Sequence, residues 1–415
     1  MKDLKGAAIF GQSGGPTSVI NSSAAGVFIE ALKQELITEV YGAAHGIKGI
    51  IDEKFYDISK EDIKELELLK YTPSSALGSV RYKLKDVKDD DTDYKKLLEV
   101  FTKYNIRYFF YNGGNDSMDT CNKVSKYLKA ANYDCNVIGV PKTIDNDLFG
   151  TDHCPGFASA AKYIATTLME LNLDAKVYNT GLVCIVEIMG RNAGWLTASA
   201  ALANYKGLGV DLIYLPEVPF DVDKFVDDVK KVCDKNNNKA IVVVSEGIKN
   251  ADGRYVGDFM ASATDLFGHA QLGGVGAKLG DIIKERLGVK VRAIEFSLMQ
   301  RCAAHIASKT DIEESFKAGQ AAVRYAVKGQ TDKMVAFERT YKNGKYVCKN
   351  KLLPLKQVAN AEKTIPAEWI NADGTGLTED FVNYALPLIQ GDAKAPLEDG
   401  LPRFAKLKKV LATKD

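Results

Sequence analysis

The chain is 415 residues long, 46% hydrophobic and 26% charged, with 55 lysines and arginines against 54 aspartates and glutamates. That length exceeds what one core normally serves, so two domains are expected, and the near-neutral balance provides no whole-molecule field for nucleic acid or a membrane surface. Seven scattered cysteines, odd in number and without a C-x-x-C pair, argue against a disulfide framework and structural zinc, and four scattered histidines against a histidine-rich metal centre.

In chain order, residues 7–10 predict a short buried strand and residues 18–32 a helix. Between them, Gly11-Gln12-Ser13-Gly14-Gly15-Pro16-Thr17-Ser18 lets backbone approach an anion closely at a helix N-terminus. It is neither a Walker A loop nor G-x-G-x-x-G, and a plain strand-to-helix turn would also use those glycines. Gly78-Ser79-Val80-Arg81 sets an arginine on a turn of small residues, whereas the aspartate run 89–93 lacks the glycine and distal glutamate of an EF-hand and reads as a solvated loop.

A strand over 108–111 precedes Asn112-Gly113-Gly114-Asn115-Asp116-Ser117 and a helix to about 128, with Ser117 as the candidate N-cap. A further strand over 137–140 delivers Pro141-Lys142-Thr143-Ile144-Asp145-Asn146-Asp147. That heptad combines a lysine able to neutralise phosphate, one carboxylate able to take a proton from an alcohol, and a second able to hold a divalent metal. The apolar runs 181–188 and 240–244 read as strands buried on both faces, followed respectively by Met189-Gly190-Arg191 and Glu246. Arg292 and Arg301 flank residues 293–300. Arginine forks bind phosphate oxygens and a carboxylate accepts from sugar hydroxyls, so these positions suit a sugar phosphate.

This alternation predicts an α/β protein of parallel sheets with crossover helices. Residues 334–348, around Asn343-Gly344, predict a hairpin. Residues 351–415 read as a packing segment, its basic stretch 403–409 as one face of a terminal helix.

Together these motifs resemble the 6-phosphofructokinases over nearly the whole chain. The Gly14-Gly15 loop, Gly113-Gly114-Asn115-Asp116-Ser117, the 141–147 heptad, Met189-Gly190-Arg191 and Gln300-Arg301 follow the family's order. Members that use ATP carry glycine at the positions of Asp116 and Lys142, and members that use pyrophosphate carry aspartate and lysine, so the chain resembles the pyrophosphate-dependent type. Electrostatics points the same way, because two unit charges ~4 Å apart at an effective dielectric of ~20 repel by about 4 kcal/mol. Asp116 therefore disfavours ATP's α-phosphate or nucleoside, and half that penalty is still more than tenfold in affinity, at ~1.4 kcal/mol per decade.

The resemblance implies an α/β fold of two doubly wound parallel-sheet domains with the active site in the cleft between them, residues 1–156 for the donor, with about 300–350 returning to it, and 157–299 for the sugar phosphate. It also implies Mg²⁺ as cofactor and reversible transfer from pyrophosphate to the C1 hydroxyl of fructose 6-phosphate. It implies that Asp145 is the base and that Thr143 and Ile144 help place the sugar. Gly14 and Gly15 would hold the donor beside Asp116, Lys142 would neutralise the leaving group, and Arg81 would stabilise the transferring group. Asn115 and Asp147 would lie on the metal side. Met189, Gly190, Arg191 and Glu246 would grip fructose, with Arg292 and Arg301 on its 6-phosphate. Three positions depart from the family pattern: Asn115 replaces an aspartate, residues 178–182 lack an arginine, and Leu298 replaces a histidine or tyrosine. An ATP-dependent enzyme, a catalytically silent phosphate-sensing subunit and sedoheptulose 7-phosphate as acceptor remain alternatives. A homo-oligomer, without nucleic-acid or membrane partners, is expected. The start of the chain shows no signal-like stretch and no apolar run reaches membrane-spanning length, so a reducing cytoplasm is the expected compartment.

Overall fold

A computed structural model describes residues 4–257, 274–359 and 361–414. The opening residues 1–3, read above for a leader, lie outside the described residues. Eleven strands build two sheets: β1 (Gly6–Gln12), β2 (Ile37–Ala43), β3 (Phe55–Asp57), β4 (Ile106–Gly113), β5 (Asn136–Pro141), β6 (Leu182–Ile188), β7 (Leu212–Tyr214), β8 (Lys239–Ser245), β9 (Val291–Glu295), β10 (Lys333–Lys342) and β11 (Lys345–Pro354). The larger sheet has the order β11-β10-β5-β4-β1-β2-β3, with only the outer strands β11 and β3 antiparallel to their neighbours. From β1 the chain steps outward to β2 and β3, then returns to β4 and β5 on the other side. The order therefore reverses between β1 and β4, and the loops leaving their carboxyl ends part there into a crevice.

Each central strand is a continuous apolar run because helices cover both faces of its sheet. Helices Ile20–Ala31 and Lys309–Val327 share one core with Ala8, Phe10 and Val140. Helices Thr92–Lys103 and Asn115–Ala130 share the opposite core with Ile9, Phe109 and Val137. The first pair meets almost backbone to backbone. A Cβ on Gly26 would fall 2.1 Å from the Phe316 carbonyl, and one on Gly319 2.1 Å from that of Ser23.

The smaller sheet is fully parallel, in the order β7-β8-β6-β9. Helix Phe157–Lys176 covers one face, and helices Val222–Lys235 and Val275–Leu287 the other. After β9 the chain returns to the larger sheet through the Lys309–Val327 helix, and β10 pairs in parallel with β5.

Three local expectations change. The hairpin is longer than predicted, running as β10 and β11 on either side of Asn343 (φ 52°) and Gly344 (φ 72°), the two positive φ values that a type I′ turn requires. Ser117 is not an N-cap: the Asn115–Ala130 helix starts one turn earlier, capped by Gly114, and Ser117 N–H donates to the Gly114 carbonyl at 3.0 Å. Residues 403–409 are not helical. Glu61 and Glu65 hold the segment instead: Glu65 pairs with Arg403 and takes the backbone N–H of Lys406, and Glu61 takes the backbone N–H groups of Lys408 and Lys409 at 2.7 Å. Carboxylates that capture backbone N–H groups compete directly with helical hydrogen bonds.

Candidate active site

The loops leaving the carboxyl ends of β1, β4, β5, β6 and β8 face one cleft of about 730 Å³. It is lined by Gly14, Gly15, Arg81, Asn115, Asp116, Lys142, Thr143, Ile144, Asp145, Asp147, Met189, Arg191, Glu246 and Arg301. Gly190 stands behind them, its N–H donating to Glu246 Oε1 at 3.1 Å.

On the donor side, Gly14 adopts a φ of 77°, which favours glycine, and its N–H is held by the Val80 carbonyl at 3.2 Å. The expected phosphate contact of that N–H therefore requires this bond to open. Ser79 Oγ donates to the Gly14 carbonyl at 2.6 Å, so the loop carrying Arg81 is buttoned to the glycine turn. Lys142 is buried, its Nζ donating to the Gly15 carbonyl at 2.7 Å. Burial, with help from Arg81 and Arg301, brings its pKa down to about 8, against the opposing pull of Asp145. Arg301 reaches this side as well, since a Cβ on Gly15 would fall 3.1 Å from its Nη1. Three cations thus converge where a compact polyanion would be transferred.

The heptad is stitched into the sheet. Lys142 N–H donates to Gly113 at 3.0 Å, and Asn112 Nδ2 donates to the Val140 carbonyl at 3.0 Å. Asp145 N–H donates to Thr143 Oγ1 at 3.1 Å, turning both carboxylates into the cleft. Burial raises Asp145 above the usual carboxylate range, and burial plus the charge of Asp145 pushes Asp147 up to about 7. Burial also takes Glu246 to about 7.

Asn115 Nδ2 lies 3.4 Å from Asp147 Oδ2. The other oxygens, Asn115 Oδ1 and Asp147 Oδ1, are buried without a hydrogen-bond partner among the described residues. Paired, unsatisfied oxygens suit a hard divalent cation such as Mg²⁺.

Arg292 alone among the expected residues is not brought to the cleft. It sits mid-strand on the exposed edge strand β9, level with Cys184 near the start of β6, whereas the site is built from the carboxyl ends. Lys83, Asn192 and Glu362 are among the cleft residues not assigned from the sequence. Asn192 Nδ2 donates to Glu362 Oε1 at 3.2 Å, and the Glu362 charge raises both Asp145 and Asp147. No motif marks Glu362. It arrives because Lys363 N–H donates to the Asp147 carbonyl at 2.8 Å and residues 148 and 362 form an antiparallel bridge.

Two parallel-sheet lobes with paired carboxylates and convergent cations at their strand ends define a phosphotransferase architecture. The sequence model of the phosphofructokinase family matches residues 7–333, and the chain belongs to that family. It is 45% identical over 410 residues to the pyrophosphate--fructose 6-phosphate 1-phosphotransferase of Halomonas elongata, covering 97% of this chain and 96% of that protein. It is 43% identical to the protein of the same name from Methylococcus capsulatus, covering 98% and 97%. The crystal structure of a pyrophosphate-dependent phosphofructokinase from Nitrosospira multiformis superposes with a TM-score of 0.88 at 41% identity, over 99% of this chain and 98% of that one.

Proposed function

We propose that this protein reversibly transfers a phosphoryl group from pyrophosphate to the C1 hydroxyl of fructose 6-phosphate, giving fructose 1,6-bisphosphate and phosphate. The observation that carries the donor assignment is the placement of Asp116 and Lys142 in the same cleft as Asp145 and Asp147. Asp116 repels a nucleotide, and the buried Lys142 supplies a charge to a donor that has no nucleoside to hold.

In this reading Asp145 accepts the C1 hydroxyl proton as that oxygen bonds to the terminal phosphorus of pyrophosphate. The P–O–P bond breaks, and Lys142 neutralises the departing phosphate. The raised pKa of Asp145 makes it a better base near neutrality than an exposed aspartate. Arg81 and Arg301 face the charge spread over the transferring group, where positioning and electrostatics carry most of the catalysis. Thr143, Met189, Gly190, Arg191 and Glu246 hold the sugar. Asn115 and Asp147 would hold Mg²⁺, which supplies charge neutralisation to the donor phosphates when bound.

Residues 1–156 with the returning 300–350 serve the donor and 157–299 the sugar phosphate, with 351–415 packed against both. A homo-oligomer in the cytoplasm completes the proposal. Among the described residues, no helix is long and apolar enough to cross a membrane.

The test is initial rates with fructose 6-phosphate and either pyrophosphate or ATP. Pyrophosphate is expected to be the better donor by at least tenfold, and comparable rates with ATP would overturn the donor assignment. Asp116→Gly combined with Lys142→Gly should lower pyrophosphate turnover by about tenfold or more, since the lost Lys142 contact is worth roughly 1.5–3 kcal/mol, and should raise turnover with ATP as the Asp116 repulsion goes. Unchanged pyrophosphate kinetics would remove both residues from the donor site.

A further inference from the structure

Asn146 stands between the two carboxylates and has left-handed backbone, with φ 55°. Asparagine enters that region more readily than most non-glycine residues, and here its surroundings hold it there. The imposing contacts are explicit. Asn146 Oδ1 accepts from the Cys154 N–H at 2.8 Å, and Nδ2 donates to the Tyr384 hydroxyl at 2.8 Å. That hydroxyl donates onward to the Asp152 carbonyl at 2.8 Å.

Tyr384 lies in the Glu379–Ala385 helix, beyond the residues 7–333 that the family model matches. Its ring is fixed independently of the heptad. Trp195 and Trp369 lie 5.3 and 5.4 Å away, ring centre to ring centre. The Arg339 guanidinium sits 4.8 Å over the ring, is bidentate to Asp152 and donates to the Tyr384 carbonyl at 2.9 Å. A rigid aromatic cluster therefore presents one hydroxyl to the side chain that spaces the two carboxylates.

We propose that Tyr384 is a positioning residue for phosphoryl transfer: through the Asn146 amide it fixes the separation and aim of Asp145 and Asp147. The proposal rests on the roles given to those aspartates above. Misplacing a reacting group by about 1 Å costs up to about a hundredfold in rate. Loss of one hydroxyl in this chain should fall within that range.

Tyr384→Phe retains the ring packing and removes only the hydroxyl. Its kcat with pyrophosphate should fall about 10- to 100-fold, while KM for both substrates stays within about threefold. Asn146→Ala should produce a similar loss. The double variant should lose little more than either alone, because all three break one link. Mn²⁺ binding, read by electron paramagnetic resonance without turnover, should weaken several-fold in Tyr384→Phe because Asp147 loses its aim. A Tyr384→Phe enzyme with kcat within twofold of the parent and only a lower melting temperature would overturn the proposal. So would losses that multiply in the double variant. If the parent itself shows no pyrophosphate turnover, the functional reading fails and the Mn²⁺ measurement alone decides this one, an unshifted affinity refuting it.

Discussion

Asp147 shows what burying one of two neighbouring carboxylates does to its protonation. Its pKa of about 7 lies above the ordinary aspartate value of 3.8, because desolvation and Asp145 both favour the protonated form. The folded chain therefore binds that proton more tightly than the unfolded chain, and stability is lost as pH rises from the ordinary value through about 7. Asp147→Asn should accordingly raise the melting temperature at pH 8 and change it little at pH 4, while abolishing tight Mn²⁺ binding. A cation competes with the proton, so Mn²⁺ affinity of the parent should drop by about fivefold from pH 7 to pH 6. Glu362 raises both aspartates, so Glu362→Gln should move the acid limb of kcat/KM to lower pH. An unmoved limb would show that Glu362 is too well solvated to act on them. The heptad was readable in the sequence because its spacing is itself the chemistry. Glu362 was not, because a lone glutamate in a variable-looking segment carries no pattern, and only backbone pairing with residue 148 brings it to the cleft.

At the scale of elements, legibility followed burial. The runs that became β1, β4, β5, β6 and β8 are covered on both faces and apolar through their centres, so their residues announced them. β3 and β7 span three residues each, too few for any period, and exist because a neighbouring strand offers free ladder groups. Arg292 shows a related limit: its position in sequence near Arg301 does not reveal that it stands mid-strand in β9, level with Cys184. The crossing of helices Ile20–Ala31 and Lys309–Val327 was likewise invisible, since small residues signal close approach only once the partner is known. There is no room for a methyl group at Gly319, where the nearest atom is backbone rather than a flexible side chain. Gly319→Ala should destabilise the protein by about 1–3 kcal/mol in denaturant unfolding. Both KM values should stay near those of the parent, because the crossing lies on the face of the sheet away from the cleft loops.

At the scale of the molecule, β9 forms an exposed edge of the smaller sheet, and Leu298 and Met299 just beyond it are each 54% exposed. An open strand edge beside large apolar side chains favours association, which fits the homo-oligomer proposed above. Sedimentation should give a mass at least twice the 45.3 kDa of the chain, and Leu298→Lys with Met299→Lys should shift it toward the monomer.

The return of the chain to its first sheet also governs the order in which that sheet can be completed. β10 pairs with β5 only after β6 to β9 have been made, and the helix that covers Ile20–Ala31 begins at Lys309. A growing chain shorter than about 340 residues thus holds the edge of β5 and the apolar face of its first helix open, and these are the surfaces through which incomplete chains stick to one another. The larger sheet is first in sequence and last to close, so a synthesis that stalls before β10 leaves most of the cleft's residues in place on a sheet that nothing yet holds shut.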